Sequence, residues 1–541
     1  MISKSSTYFA LLFLLPTCLS SQSGFEIVYD LLKSKCGTCH NQTDKLGGLD
    51  LTGSKSLKSD NLEEVYNNLI NKSPTNNKAS STNLHLISPG RVDKSFLFKK
   101  INQGLDPGLE LSKDEGSPMP YDLPKLNAKE RELIRQWILF GAKKEELGFS
   151  IADINSYYDE GGDESFPEGP PEPPSVSEGF QIKVGPFFLP KGKELEFFTK
   201  YQIELEENVE VNRLDIRISS YSHHMIIYEL VDNSENIESG FRLNQDHEDI
   251  NFVAATQESV DLKLPENTAF FWNKNTFLDI NPHYINYSSE KIYKAEVYVN
   301  IYTAPPGTAK EEMQTLLVPN TSIVIPNNGE VIKYEQPLFL NAGSIYVWAV
   351  GGHTHKYGTG YRIYKRKQNG SKGELVYDGS CYGGIPGCVS PFFDYQHIPL
   401  RYWDNFMPID LAKGVIHEAT WINDGPETVK WGPTSKDEMM LFALMFVTDT
   451  ANLTTSIKDP YSIDQNIQIF PNPTSNFVTI RSVNKKSLGE IRIIDLNGKT
   501  LFQTFSHKSR EYINISRVPN GMYIIKTNSE FGIQASKLPI N

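Results

Sequence analysis

Five of the chain's 11 histidines fall in three short stretches: His223-His224-Met225, Asn281-Pro282-His283-Tyr284 and His353-Thr354-His355. A fourth stretch, Asp437-Glu438-Met439, adds a thioether. Five imidazoles and one thioether divide into two sets of three. Nitrogen with soft sulfur and no thiolate favours copper, and the thioether favours Cu(I). Three protein ligands per metal leave positions open for dioxygen or substrate, as a catalytic centre needs.

These residues make demands on the elements that carry them. On a strand, residues i and i+2 share a face, so His353 and His355 can grip one metal, with Gly351-Gly352 easing the approach. The alternative for such a pair is two solvent-facing histidines. Met439 precedes the apolar run Met440 to Val447, a strand able to bring it beside the pair as third ligand. His223 and His224 are adjacent, and a regular strand sends neighbours to opposite faces. Both can bind one metal only at a strand end or a bulge; otherwise one is a ligand and the other a bystander. His283 completes an all-imidazole set. His397 and His417 match no ligand pattern and read as structural.

Upstream, Cys36-Gly37-Thr38-Cys39-His40 is the c-type haem attachment pattern: two thiols bond the porphyrin and His40 becomes an axial ligand. A zinc or redox pair is the alternative, but zinc wants two more ligands nearby and the next cysteine is Cys381. Met119, in Ser117-Pro118-Met119-Pro120, is a candidate sixth ligand or else a buried methionine; His85 reads as a loop histidine. Together with Gly47-Gly48-Leu49-Asp50-Leu51, Glu132 to Ile138 and Gly141-Ala142, these residues resemble a family of small cytochromes fused to exported enzymes. The resemblance implies one covalently bound haem c that transfers electrons, in an all-α cytochrome c domain over 24–145.

The rest of the chain is organised around these motifs. At 541 residues there is room for three to five domains. A net charge of -13 argues against nucleic-acid binding, which wants a basic footprint. Lys4, the apolar run Phe9 to Leu15 and the small residues around Cys18 read as a signal peptide over 1–21, too short to span a membrane; Cys18 is a site of cleavage or of lipidation. No later segment is apolar enough to span. In an oxidising compartment Cys381 and Cys388 read as a short-loop disulfide, with two free thiols as the alternative. Helical spacing marks Phe25 to Leu32 and Ala128 to Leu139, the latter closing at Phe140-Gly141. Residues 152–178, acidic and proline-rich, read as an extended linker. From 179 the pattern changes to short strands, among them Val211 to Ile218, Val297 to Tyr302 and Ile345 to Val350, which imply antiparallel sandwiches. Ala304-Pro305-Pro306-Gly307 reads as a seam between sandwiches over 179–306 and 307–451. Residues 466–541 read as a further small β-sandwich.

The order HHM, HY, HTH, DEM resembles the copper type II monooxygenases, the family of peptidylglycine α-hydroxylating monooxygenase and dopamine β-hydroxylase, over roughly 190–450. The resemblance implies two jelly-roll-like β-sandwiches, each with one copper. His223, His224 and His283 would hold an electron-transfer copper; His353, His355 and Met439 would hold the copper that activates dioxygen. One oxygen atom enters a C–H bond, with electrons from ascorbate or a redox protein. Two departures bear on the substrate. Peptide-amidating members carry an arginine two residues before HxH and a tyrosine four after the methionine; here these are Gly351 and Ala443. A buried carboxylate without a partner is costly, so peptide amidation is not expected. The family's cysteine after the methionine is Met440 here, and Cys381–Cys388 stands as a local replacement for that bridge. Residues 466–541, through Pro471-Asn472-Pro473, Ile494-Asp495-Leu496-Asn497-Gly498 and Asn520-Gly521-Met522-Tyr523, resemble the C-terminal sorting domain of type IX secretion. The expectation is a multidomain, mainly β, secreted or surface monooxygenase, with two copper ions and one haem c, acting on O2 and a small molecule. The alternative is a non-catalytic surface electron-transfer or copper-binding protein.

Overall fold

The computed structural model describes residues 24–541 apart from 220, 232–235, 244–249, 381–392, 394, 396–399, 433–435, 454–466, 471–473, 475–476, 483–485, 496–498, 517, 530–531 and 541. The signal segment, Cys18, Cys381, Cys388, His397, the tail motif Pro471-Asn472-Pro473 and the Leu496-Asn497-Gly498 part of a second tail motif lie outside the described residues. The chain is mainly β, in several sheets, and divides into two compact units, one ending at Asp159 and including 239–241, the other holding the remainder.

In the first unit the helix Gly24–Cys36 buries Phe25, Val28, Tyr29 and Leu32, a helical stripe. Phe25 packs on Tyr66 and Trp137. The helix Ala128–Leu139 opens on a capping box between Asn127 and Glu130 and closes at Gly141, whose φ of 90° is the left-handed conformation that ends a helix. The expected all-α cytochrome domain is not borne out. The helices are small, of 13, 12, 5, 6 and 12 residues, and parallel bridges Ile70–Ile87 and His85–Ser95 lie between them. The intervening Asn, Ser, Gly and Pro residues favour turns and caps over helix propagation.

The segment expected as an extended linker is partly built. Ile151–Ser156 is helical and Tyr157–Gly161 forms a π turn. Asp163–Glu164 then pairs with Tyr293 and Lys294, and the Pro171 and Glu172 carbonyls accept from Gln181 and Asn300. Side-chain amides of the sheet hold these carbonyls, so part of the segment is bound there.

The second unit begins with a sandwich of a seven-stranded and a six-stranded sheet. Phe187 and Tyr284 meet edge-on between the sheets at 5.5 Å, and the Tyr284 hydroxyl donates to the Glu296 carbonyl. The seam falls later than expected: Glu311–Glu312 pairs with Thr268 and Ala269, so the chain leaves this sandwich only after Met313. The next sandwich packs the sheet Gln314–Pro319, Leu441–Val447, Ser344–His353, Arg401–Asp410 against a sheet of Val331–Leu338, Val415–Ile422, Gly358–Arg366 and Lys372–Asp378. Its core includes Val347, Val350, Tyr361, Trp421 and Phe442. The tail forms a three- and a four-stranded sheet over a common core with Ile480, Ile493 and Ile525.

Candidate metal centre

His224 and His283 are direct cross-strand partners on the strands Ser222–Leu230 and Phe277–Ile285. The register then shifts, so that Tyr284 pairs with Ser222 and His223 is left over in a bulge. This resolves the adjacency: an unpaired residue need not point away from its neighbour. The three rings gather with centroids 4.7, 4.7 and 5.5 Å apart, and their ligand atoms lie within 4.8 Å of one another. Among the described residues this is the only group of His, Cys, Asp and Glu so disposed.

A short strand, Glu194–Glu196, holds the outer edges of two rings. Glu194 lies 2.7 Å from His283 Nε2, and Glu196 lies 3.3 Å from His224 Nε2. Asn281 donates to Glu196 and to the Phe197 carbonyl, and turns its own oxygen toward His224 Nε2 at 3.2 Å. The Nε2 atoms are therefore donors and the Nδ1 atoms carry the lone pairs. The Nδ1 atoms of His223 and His224 lie 3.4 Å apart, and His283 Nδ1 is buried without a hydrogen-bond partner. Burial, together with the charge of neighbouring histidines, pushes His223 and His283 down to about 3. Neutral imidazoles with inward lone pairs are what a metal needs.

The second set is built differently. His353 ends the strand Ser344–His353 opposite Leu441. His355 is not on that strand, as the i, i+2 reading required, but in the turn beyond it, where its carbonyl accepts from Gly358. Glu438 supplies what the strand does not. Fully buried, it accepts from the backbone N–H groups of His355 and Tyr357 at 3.0 and 2.8 Å and from Trp421 Nε1 at 2.9 Å. The Asp437 carbonyl meets His355 Nδ1 at 3.0 Å, leaving Nε2 for a ligand role. The His353 and His355 rings lie 5.2 Å apart. Met439 is half-buried, two residues before Leu441, the partner of His353. Burial lowers both histidines, His353 strongly, and the charge of His223 and His224 lowers His353 further; the two sets are within electrostatic reach of each other.

Gly351 and Ala443, the two departures from the peptide-amidating pattern, are cross-strand partners. A Cβ at Gly351 would come 2.3 Å from Leu400 Cδ2, so an apolar side chain covers that glycine. His417 is buried as a structural histidine, taking a hydrogen bond from the Tyr361 hydroxyl at 2.6 Å.

In the first unit Cys36 and Cys39 are free, half-buried thiols at the end of the first helix. Burial, with Cys39 alongside, pushes the Cys36 thiol up to about 11. His40 Nδ1 lies 2.8 Å from the Leu46 carbonyl, which leaves Nε2 available. Met119 is half-buried on a separate loop, tied through its backbone to Lys100 and Gln103.

Glu194, Glu196 and the anchoring role of Glu438 are what sequence reasoning missed. The period-two spacing of Glu194 and Glu196, and the i, i+2 spacing of Asn281 and His283, are the signals that could have found the first group.

Residues 468–541 match the Secretion system C-terminal sorting domain. No curated protein matches the chain. Among solved structures the chain is similar to the STIV MCP, at 8% identity over 50% of this chain and 97% of that one, with a TM-score of 0.24. It is similar to the BSP domain of a biofilm associated protein, at 9% identity over 64% and 80%, TM-score 0.13. A β-porphyranase of glycoside hydrolase family 86 from the human gut bacterium Bacteroides plebeius matches at 10% identity over 51% and 38%, TM-score 0.13. The sorting domain implies export to the cell surface or secretion, with the type IX secretion machinery as partner. Among the described residues no helix is long and apolar enough to cross a membrane.

Proposed function

We propose that this chain is a copper-dependent monooxygenase that hydroxylates a C–H bond of a small organic substrate with O2. Its two sandwiches, of jelly-roll type, would each hold one copper, and Cys36 and Cys39 would hold a haem c that would supply one-electron transfer, with ascorbate or a redox protein as the external donor. The observation that carries this reading is the convergence of three imidazoles on an unpartnered, buried His283 Nδ1. A buried polar atom left without a partner is costly, and a metal would satisfy it.

Bound copper supplies one-electron exchange and the activation of dioxygen. The chain's own residues do the rest. His223, His224 and His283 offer nitrogen donors from a bulge that aims two adjacent side chains at one point. His355, fixed by the Asp437 carbonyl, presents Nε2, and Met439 brings a soft thioether that favours the reduced metal. Glu438 fixes the turn after His353 to the segment bearing Met439, so the two halves of that set move as one. Beside them, Gly351, Ala443 and Leu400 offer carbon, not charge, to a substrate. His40, held at Nδ1, has Nε2 for haem iron, with Met119 as candidate sixth ligand.

Copper and haem stoichiometry, combined with an oxygen-uptake screen over phenethylamines, peptides and small aromatic and aliphatic compounds, tests the proposal. Two coppers per chain and substrate-dependent uptake are expected, with no response to peptides ending in glycine. Met439→His should keep copper and lose turnover. Copper bound without any substrate-dependent uptake would favour a non-catalytic electron-transfer or copper-binding protein. No copper bound would overturn the reading.

A further inference from the structure

We infer that Glu194 and Glu196 set the direction of electron flow between the two metal sites, by holding the His223/His224/His283 metal at the lower reduction potential of the two. The inference rests on the reading of that triad as a one-electron copper site.

Glu194, Leu195 and Glu196 pair antiparallel with Ile285, Tyr284 and His283. Alternation along the strand puts both carboxylates on one face and Leu195 on the other. Glu194 reaches diagonally to His283 Nε2 at 2.7 Å, and Glu196 reaches past its own partner to His224 Nε2 at 3.3 Å. Asn281 pins Glu196 from the side, at 3.1 Å. Two of the three imidazoles thus donate their outer N–H to a carboxylate. Such a pair fixes ring orientation and makes the inner nitrogen more basic. A more basic nitrogen stabilises the doubly charged metal more than the singly charged one, which lowers the potential.

The second set has a different surround. His355 Nδ1 meets a neutral carbonyl, that of Asp437, and the third donor is a thioether, which favours Cu(I). Glu438 is spent on backbone N–H groups and Trp421, and makes no hydrogen bond to either ring. Two carboxylates on one side, and a carbonyl with a thioether on the other, order the potentials. With copper bound at both sites, an electron entering at the triad would run downhill to the methionine-bearing site.

The test uses the full chain loaded with copper, with Glu194→Gln, Glu196→Gln and the double variant. The potential of the triad is read by redox titration of its Cu(II) paramagnetic resonance signal. Cu(I) affinity is read separately by competition with a chromogenic Cu(I) chelator. Loss of an outer partner typically weakens a metal site by about 10- to 100-fold. If that loss falls on Cu(II), the potential rises by about 59 mV for each tenfold, while Cu(I) affinity stays constant. Glu194 is half-exposed, so its glutamine variant should fold whether or not the more enclosed Glu196 variant does. An unchanged potential in Glu194→Gln overturns the inference. Equal loss of Cu(I) and Cu(II) affinity also overturns it, since that marks a purely structural role. A wild-type chain without nitrogen-ligated Cu(II) overturns instead the reading beneath it.

Discussion

His417, buried in the sandwich that carries His353, His355 and Met439, makes that sandwich acid-sensitive in a way that can be isolated. It is fully buried, packs on Phe442, accepts from the Tyr361 hydroxyl at Nδ1 and faces Gln336 Oε1 with Nε2 at 3.2 Å. That arrangement suits a neutral ring with its proton on Nε2. Burial lowers it from 6.5 to about 4. Between those two values the unfolded chain carries a proton that the folded chain refuses. Folded stability is therefore fully present above about pH 6.5, falls as pH drops toward 4, and levels off below. At about 1.36 kcal/mol per pH unit the window is worth about 3 kcal/mol. His417→Gln keeps a donor for Gln336 and cannot titrate, but leaves the Tyr361 hydroxyl unpaired, at about 1–3 kcal/mol independent of pH. The variant should be less stable at pH 7 and should lose about 3 kcal/mol less than wild type on going to pH 4. Other groups titrate equally in both proteins and cancel in the comparison. Denaturant unfolding of the metal-free chain, followed by tryptophan fluorescence, suits the question because Trp348, Trp403, Trp421 and Trp431, four of the six tryptophans, lie in this sandwich. If both proteins lose stability in parallel between pH 7 and 4, His417 does not hold its proton off and the reasoning fails.

Two further substitutions probe the same sandwich. Gly352→Ala would put a Cβ 2.2 Å from the buried Tyr361 ring; overpacking of this kind costs about 1–3 kcal/mol, and the displaced strand should lower copper occupancy at His353, as thermal melts and metal analysis would show. Glu438→Gln replaces one acceptor oxygen with an amide donor facing backbone N–H groups. It should destabilise by about 1–3 kcal/mol and halve copper stoichiometry by emptying the methionine-bearing site, while the resonance signal of the triad persists.

Sequence patterns reached the triad because its constraints are local. Two adjacent histidines on a strand require a bulge, and the register shift at His283 and Tyr284 provides one. The strand runs around Val211, Val297 and Ile345 were legible for the same reason, since alternation is a property of neighbours. The sequence signal for the seam falls early because Ala304-Pro305-Pro306-Gly307 is a strong turn signal, whereas the brief return of Glu311–Glu312 to the first sandwich is a pairing with a distant strand. HxH spacing fits a strand, yet the strand ends at His353. Only the fold reveals Glu438 capturing the N–H groups of His355 and Tyr357, which pulls the chain out of the sheet one residue after His353.

The same distinction explains why the donors were easier to read than what surrounds them. A donor set is recognised by residue type, and histidine and methionine are scarce enough for their clustering to carry information. Carboxylates are not: the chain has 66 Asp and Glu residues, and Glu194 and Glu196 differ from the others only in the strand they pair with. Yet these common residues separate two otherwise comparable three-ligand sets. One set has two of its three rings backed by carboxylates and gathers its ligand atoms at one point. The other hangs between a strand end and a turn, fixed by one buried glutamate and by a carbonyl. On the proposed reading, the order of electron flow would follow from backbone register, because a one-residue slip of Glu194–Glu196 against His283 would turn both carboxylates to the opposite face and leave the two sites to differ by the thioether alone.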